Sequence, residues 1–224
     1  MRPPARPRPL PPPAALAAAL LASWLCSAAS AATLVISVQT PDGRVLSGAV
    51  VTARPMDAPA RHAPPVHAVM DQVNRAFEPD LLVLPVGSTV EFPNSDAVSH
   101  QIYSFSSAKR FQLPLYRGKP YPPVHFEQSG VVTLGCNIHD EMVAYLVLTD
   151  APYFGRTDAK GAWSAELPRG RYQLSIWHPR ARDNQSDLDR ELTIGEGDRA
   201  ELTVRLQKLL MPAPIADRPH SWDY

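Results

Sequence analysis

Beyond its first thirty or so residues, this chain is cut into short apolar runs by proline and turn residues before any helical stripe can repeat. The 25 prolines against 11 glycines mark many turns and no long helix. Leu34, Ile36 and Val38 alternate with polar positions, Pro41-Asp42-Gly43 turns the chain, and Val45 to Ala53 is a second apolar run, which predicts a β-hairpin. Met56 to Pro65 lacks periodicity and reads as a linker. Seven strand-like runs follow: 66–73, 81–84, 88–92, 100–105, 124–127, 131–136 and 142–149. Such spacing predicts a β-sandwich. Thr157 to Gly161 then forms a turn, and Trp163 to Leu167, the alternating Tyr172, Leu174 and Ile176, and finally Leu202, Val204 and Leu206 read as further strands. Residues 180–199 read as a solvated loop and the proline-bearing tail, 209–224, as poorly ordered.

Residues 1–31 form an address. Arg2, Arg6 and Arg8 precede an apolar run from Ala14 to Cys26, and Ser27 to Ala32 supply an Ala-x-Ala site, the pattern of a secretory signal peptide cleaved near Ala31. The run is shorter than the roughly 20 residues that a span needs, so no stable membrane span is expected after cleavage. Removing this segment takes Cys26 with it and leaves Cys136 as the one thiol of an exported protein. A lone exported cysteine has three readings: intermolecular pairing, an inert buried thiol, or a thiolate held by a metal. Charge argues against nucleic acid, since 22 basic residues face 22 acidic ones and three of the basic residues leave with the signal.

The chemistry is concentrated in two short loops. Cys136-Asn137-Ile138-His139-Asp140-Glu141-Met142 sets a thiol, an imidazole and a thioether in seven residues between two strands, where one loop can wrap one atom. His100 ends the upstream turn Asn94-Ser95-Asp96-Ala97-Val98-Ser99. A thiolate, two imidazoles and a weak axial thioether are the ligand set of a blue-copper electron-transfer site. Zinc and a vestigial site remain alternatives, as does a Cys-His nucleophile, which would leave Met142 without a role. Taken singly, Cys136 and Met142 are the kind of residue that fills a core. His62, His67, His125, His178 and His220 lack paired spacing and read as surface or linker residues, while Trp163 and Trp177 read as core anchors. Asp158 to Gly161 offers too few oxygens in register for calcium.

The Cys-x-x-His-x-x-Met spacing of Cys136, His139 and Met142, with Asn94 six residues before His100, resembles the cupredoxins, and within them the amicyanin branch, over roughly residues 66–150. Some such proteins are labelled methylamine-utilisation proteins. The resemblance implies one Cu(I)/Cu(II) ion on His100, Cys136, His139 and Met142, with Asn94 bracing the ligand loop by a hydrogen bond. It also implies electron exit through His139. Where amicyanin's loop carries Pro and Phe, this chain has Asp140 and Glu141, which points docking toward a basic protein partner. The 106–123 segment is longer than a simple connection and reads as a lid or docking loop.

Val38 to Gly43 leading into Leu46 to Val51, together with Thr157 to Gly161 and Leu167 to Leu174, resembles carboxypeptidase regulatory-like domains, small transthyretin-like sandwiches. The expected architecture is therefore all-β: a cupredoxin Greek-key sandwich, 62–150, inserted in or next to a discontinuous sandwich of 33–57 plus 151–208. The expected function is a periplasmic or secreted blue copper protein carrying single electrons to a redox protein partner, without enzymatic activity and without nucleic acid. The alternatives are a copper-binding or storage module and a structural surface β-sandwich protein without a redox partner.

Overall fold

The computed structural model describes residues 31–212, apart from Ala58, Ala60, Lys119, Glu196, Asp198 and Leu209. The signal peptide expected over 1–31, save Ala31, and most of the 209–224 tail lie outside the described residues. The described chain is all-β with one turn of helix. Seventeen strands run in order: β1 (Ala31–Gln39), β2 (Val50–Pro55), β3 (His67–Val69), β4 (Asp71–Val73), β5 (Ala76–Glu78), β6 (Leu81–Pro85), β7 (Thr89–Glu91), β8 (His100–Ser106), β9 (Lys109–Tyr116), β10 (Val124–His125), β11 (Gly130–Gly135), β12 (Val143–Thr149), β13 (Tyr153–Arg156), β14 (Ala162–Pro168), β15 (Gly170–Trp177), β16 (Arg190–Ile194) and β17 (Arg199–Arg205). Helix α1 (Gln185–Leu188) lies between β15 and β16. No helix among the described residues is long and apolar enough to cross a membrane.

Two apolar cores form. The first lies between the sheets β14-β1-β17 and β13-β2-β15-β16. It takes Leu34, Ile36 and Val38 from β1, Val51 and Ala53 from β2, and Leu174 and Ile176 from β15, the alternating positions that the sequence marks. The second joins the five-stranded sheet β6-β12-β11-β8-β9 to the sheet β10-β7-β3 through Leu84, Val90, Phe92, Ile102, Phe126, Val132, Leu134, Ala144, Leu146 and Leu148. β13 pairs antiparallel with β2, Tyr153 opposite Ala53 and Arg156 opposite Val50, so the chain leaves and returns to the first core on adjacent strands. The outer faces of the two assemblies meet where Val50 and Trp177 pack near Leu81, Val147 and Tyr145, with the Tyr145 and Trp177 ring centroids 5.4 Å apart. Arg156 donates to the Leu81 carbonyl at 3.1 Å, and Arg54 pairs with Asp150 across the same seam.

Several sequence expectations change. The run expected over 66–73 is two strands in different sheets, broken at the fully buried Met70. Within the expected 106–123 lid or docking loop, Lys109 to Tyr116 is instead the edge strand β9, paired with β8. Charged and proline positions hide its partly buried Phe111 and Leu113, which pack on the second core. The 180–199 stretch is no plain solvated loop, for it holds α1 and β16 and buries Leu188 and Ile194. Trp163 anchors the first core as expected, but Trp177 lies at the seam. His178, expected on the surface, is half-buried and accepts from the Arg180 N–H at 3.1 Å. The Asp158 turn behaves as expected, its carboxylate accepting from the Lys160 and Ala162 N–H groups.

Two outcomes follow from this packing. An added Cβ at Gly155 would sit 2.5 Å from Trp163 Nε1, so Gly155→Ala is expected to lower stability by about 1–3 kcal/mol, read as a lower denaturant midpoint at unchanged slope. Burial, aided by Arg180 and Arg156, lowers the His178 pKa to about 4, below its unfolded value of 6.5. The unfolded state then binds the proton first, so this contribution to stability is complete above pH 6.5 and is lost as pH falls toward 4. Replacing the ring by Gln should flatten the fall in denaturation midpoint over that window; an unchanged slope in His178→Gln would assign the acid sensitivity to other groups.

Candidate metal centre

The seven-residue loop 136–142 is the connection of a β-hairpin. β11 and β12 are paired up to Gly135 opposite Val143. At the loop base the Cys136 N–H donates to the Met142 carbonyl at 3.3 Å, and the Met142 N–H donates to the His139 carbonyl at 3.0 Å. Hairpin pairing thus sets Cys136 and Met142 side by side at the base and His139 within the loop between them. Both base residues belong to the second core, with exposures of 3% and 1%. Gly135 pairs with Tyr103 of β8, and a Cβ there would stand 2.8 Å from the Tyr103 ring, so the glycine lets β8 approach the loop closely.

His100 opens β8 and is 0% exposed. Its Nδ1 lies 3.8 Å from Cys136 Sγ, and His139 Nδ1 lies 3.9 Å from the same sulfur. The two imidazole centroids are 4.9 Å apart. One ligand atom from each of His100, Cys136 and His139 lies within 4.8 Å of the others. A borderline-soft ion binds thiolate sulfur at about 2.3 Å and imidazole nitrogen at about 2.0 Å; spread by about 120°, those bonds hold sulfur and nitrogen about 3.7 Å apart. The observed spacings fit a shared ion, and the thiolate, imidazole and imidazole set suits one that changes oxidation state.

Electrostatics favour a neutral His139 ring. Burial first, with a further contribution from the Arg75 guanidinium, lowers the His139 pKa below its ordinary value of 6.5, which keeps its lone pair free at neutral pH. His100 Nε2 faces the Asp96 carboxylate at 3.0 Å. Burial pulls the Asp96 pKa upward, but hydrogen bonds from His100 and the Arg75 and Ala97 N–H groups outweigh it, and the carboxyl lies below its ordinary range.

Among solved structures, the chain is similar to a purple cupredoxin from Nitrosopumilus maritimus, 26% identical over 37% of this chain and 99% of that one, TM-score 0.33. It is also similar to a copper-containing nitrite reductase from Thermus scotoductus, 25% identical over 43% of this chain and 25% of that one, TM-score 0.35, and to an amicyanin in its reduced Cu(I) form, 19% identical over 44% and 99%, TM-score 0.34. No family model and no curated protein sequence matches. The solved structures it resembles are cupredoxins and a copper enzyme. This chain spans about a quarter of the nitrite reductase's length.

One expectation is corrected by these likenesses. Enzymatic activity was excluded from the sequence, yet an enzyme, the nitrite reductase, stands among the similar structures, so that exclusion is withdrawn. The flanking resemblance to carboxypeptidase regulatory-like domains finds no support in them.

Asn94 is placed differently from the expectation. Its Nδ2 donates to the Val98 and Tyr116 carbonyls at 3.0 and 2.8 Å, and its Oδ1 accepts from the Asp96 N–H at 3.0 Å. These bonds close the 94–98 turn against β9 and do not reach the 136–142 loop. Asp140 and Glu141 are exposed, as is Ile138 at 52%. Sequence reasoning missed Asp96 and Arg75, and it missed the buried Gln72, whose Nε2 donates to the Pro93 carbonyl at 2.9 Å and to the Tyr116 hydroxyl at 2.6 Å. A carboxylate four residues before His100 is the one signal that was available.

Proposed function

We propose that the chain is an exported blue copper protein that passes single electrons between redox proteins, with His100, Cys136, His139 and Met142 as ligands. The observation that carries this reading is the convergence of both imidazole Nδ1 atoms on one buried thiol at the end of an apolar core. Copper held by these residues would supply one-electron chemistry, Cu(II) becoming Cu(I) when a reduced partner gives it an electron and Cu(I) returning to Cu(II) when an oxidised partner takes it. Cys136 would supply the sulfur through which the electron couples to the protein, and Met142 a weak thioether ligand that tunes the potential. The core around Cys136 and Met142 keeps water from that side. His139, half-buried, is the solvent-side exit.

Residues 62–150 are read as the copper-carrying unit, 33–57 plus 151–208 as a second, discontinuous sandwich, 1–31 as the secretory signal and 209–224 as the tail. Placement of strands β2 and β13 side by side supports that division.

Purified, copper-loaded and oxidised protein is expected to absorb intensely at red wavelengths through thiolate-to-copper charge transfer, and Cys136→Ser to lose the band. A colourless protein with a free thiol would overturn the assignment. Reversible reduction by a physiological donor separates a carrier from a storage module.

Docking is read from Asp140 and Glu141, which flank His139 in the loop. Electron transfer to a partner with a basic face should slow as salt rises. Asp140→Asn with Glu141→Gln should slow it about tenfold at low salt, each lost contact being worth up to about 1 kcal/mol, and leave the absorption unchanged. Rates indifferent to both changes would place docking elsewhere.

A further inference from the structure

We infer that Asp96 is a positioning residue for His100: its carboxylate holds the imidazole with the proton on Nε2 and so turns the Nδ1 lone pair toward Cys136. This rests on the reading of His100 as a metal ligand. An ionised carboxylate only accepts, so the 3.0 Å contact from His100 Nε2 to Asp96 Oδ2 makes Nε2 the donor. In the neutral ring the other nitrogen then carries the lone pair, and that nitrogen is the one 3.8 Å from the thiol.

The carboxylate is itself held in place by two backbone donors. Arg75 N–H reaches Oδ2 at 2.7 Å and Ala97 N–H reaches Oδ1 at 2.8 Å. Arg75 delivers its N–H from an uncommon backbone conformation. Asn74 and Arg75 have φ of +51° and +58° and join β4 to β5 through a two-residue turn, which requires left-handed residues at both positions. The Asp96 N–H in turn donates to Asn94 Oδ1, so the turn and the hairpin tip share one acceptor that faces a fully buried ring. An amide cannot replace it. Both carboxylate oxygens take N–H donors, and Asn offers one oxygen, so its NH2 group would face either Ala97 N–H or the pair of Arg75 N–H and His100 Nε2.

The test begins with metal-free wild-type protein at pH 7. Long-range proton–nitrogen correlation spectra of the histidine rings should show His100 protonated at Nε2 and bare at Nδ1. Asp96→Asn should redistribute that proton between the two nitrogens, while Asp96→Glu should restore the wild-type tautomer in part. Competition against a Cu(I)-chelating dye should then show affinity about 10–100-fold weaker in Asp96→Asn, the usual effect of losing a carboxylate behind a ligand imidazole. A wild-type His100 that carries its proton on Nδ1 overturns the inference, and this result does not depend on any variant folding. An Asn variant with the wild-type tautomer and copper affinity within twofold overturns it as well. Should wild-type protein bind no Cu(I) while His100 shows the Nε2–H tautomer, the copper reading fails and the positioning role stands.

Discussion

A thiol and an imidazole are buried at the end of an apolar core, and each of these polar groups costs about 1–3 kcal/mol if left without a partner. Much of the second sandwich answers that demand. Cys136 Sγ is met by two imidazole nitrogens, and His100 meets Cys136 on one side and Asp96 on the other. Asp96 is fixed by Arg75 and Ala97, and its turn by Asn94. Asn94 needs the Tyr116 carbonyl, which β9 presents only by pairing with β8, His100 opposite Tyr116. The Tyr116 hydroxyl bonds Gln72 and the Phe92 carbonyl, and its burial raises its pKa to about 12, so it stays a neutral donor. The ligand positions therefore depend on the edge strand as much as on the ligand loop.

This chain of dependence explains what could be read from the sequence. Cys136, His139 and Met142 lie within one hairpin connection, where sequence spacing and spatial spacing are nearly the same, and their grouping was legible from residue types alone. His100 lies 36 residues from Cys136, so its place at the site rested on the expected sandwich fold and on the family resemblance rather than on local spacing. Asp96 looked like a turn residue because acidic residues in turns are ordinary. Arg75 carries no sequence mark, since the position it occupies usually holds glycine or asparagine. Strand alternation marked β1, β15 and β17 because each has one face on a core. It failed for β9, where Phe111 and Leu113 face inward but are only partly buried, Lys109 shares their face, and Arg110 and Gln112 face outward.

Pairings between distant segments were the least legible part of the fold. β1 lies between β14 and β17, antiparallel to the first and parallel to the second, so Leu34 and Ile36 are matched to partners more than a hundred residues away. Nothing local in Leu34 or Ile36 selects those partners. Selection comes from the shared core, in which β1 contributes one face and β2 and β15 supply the opposing layer.

The placement of β2 and β13 bears on how one chain can hold two cores. Two antiparallel neighbours are ordinarily joined by a few residues, yet here Pro55 and Tyr153 are separated by the whole second core. Loop-closure entropy grows only as the logarithm of length, so lengthening that connection from a turn to nearly a hundred residues costs a few kcal/mol. A connection that folds on its own replaces a floppy loop by a body whose ends are held close together, which reduces even that cost. The seam adds a restraint that a flexible tether lacks. Tyr145 on β12 packs edge-on against Trp177 on β15, and Arg156 reaches the carbonyl of Leu81, which pairs opposite Tyr145, so the strand that begins beside Met142 is braced at its third residue by the other sandwich. The flanking sandwich therefore restrains, through β12, the loop that carries Cys136, His139 and Met142.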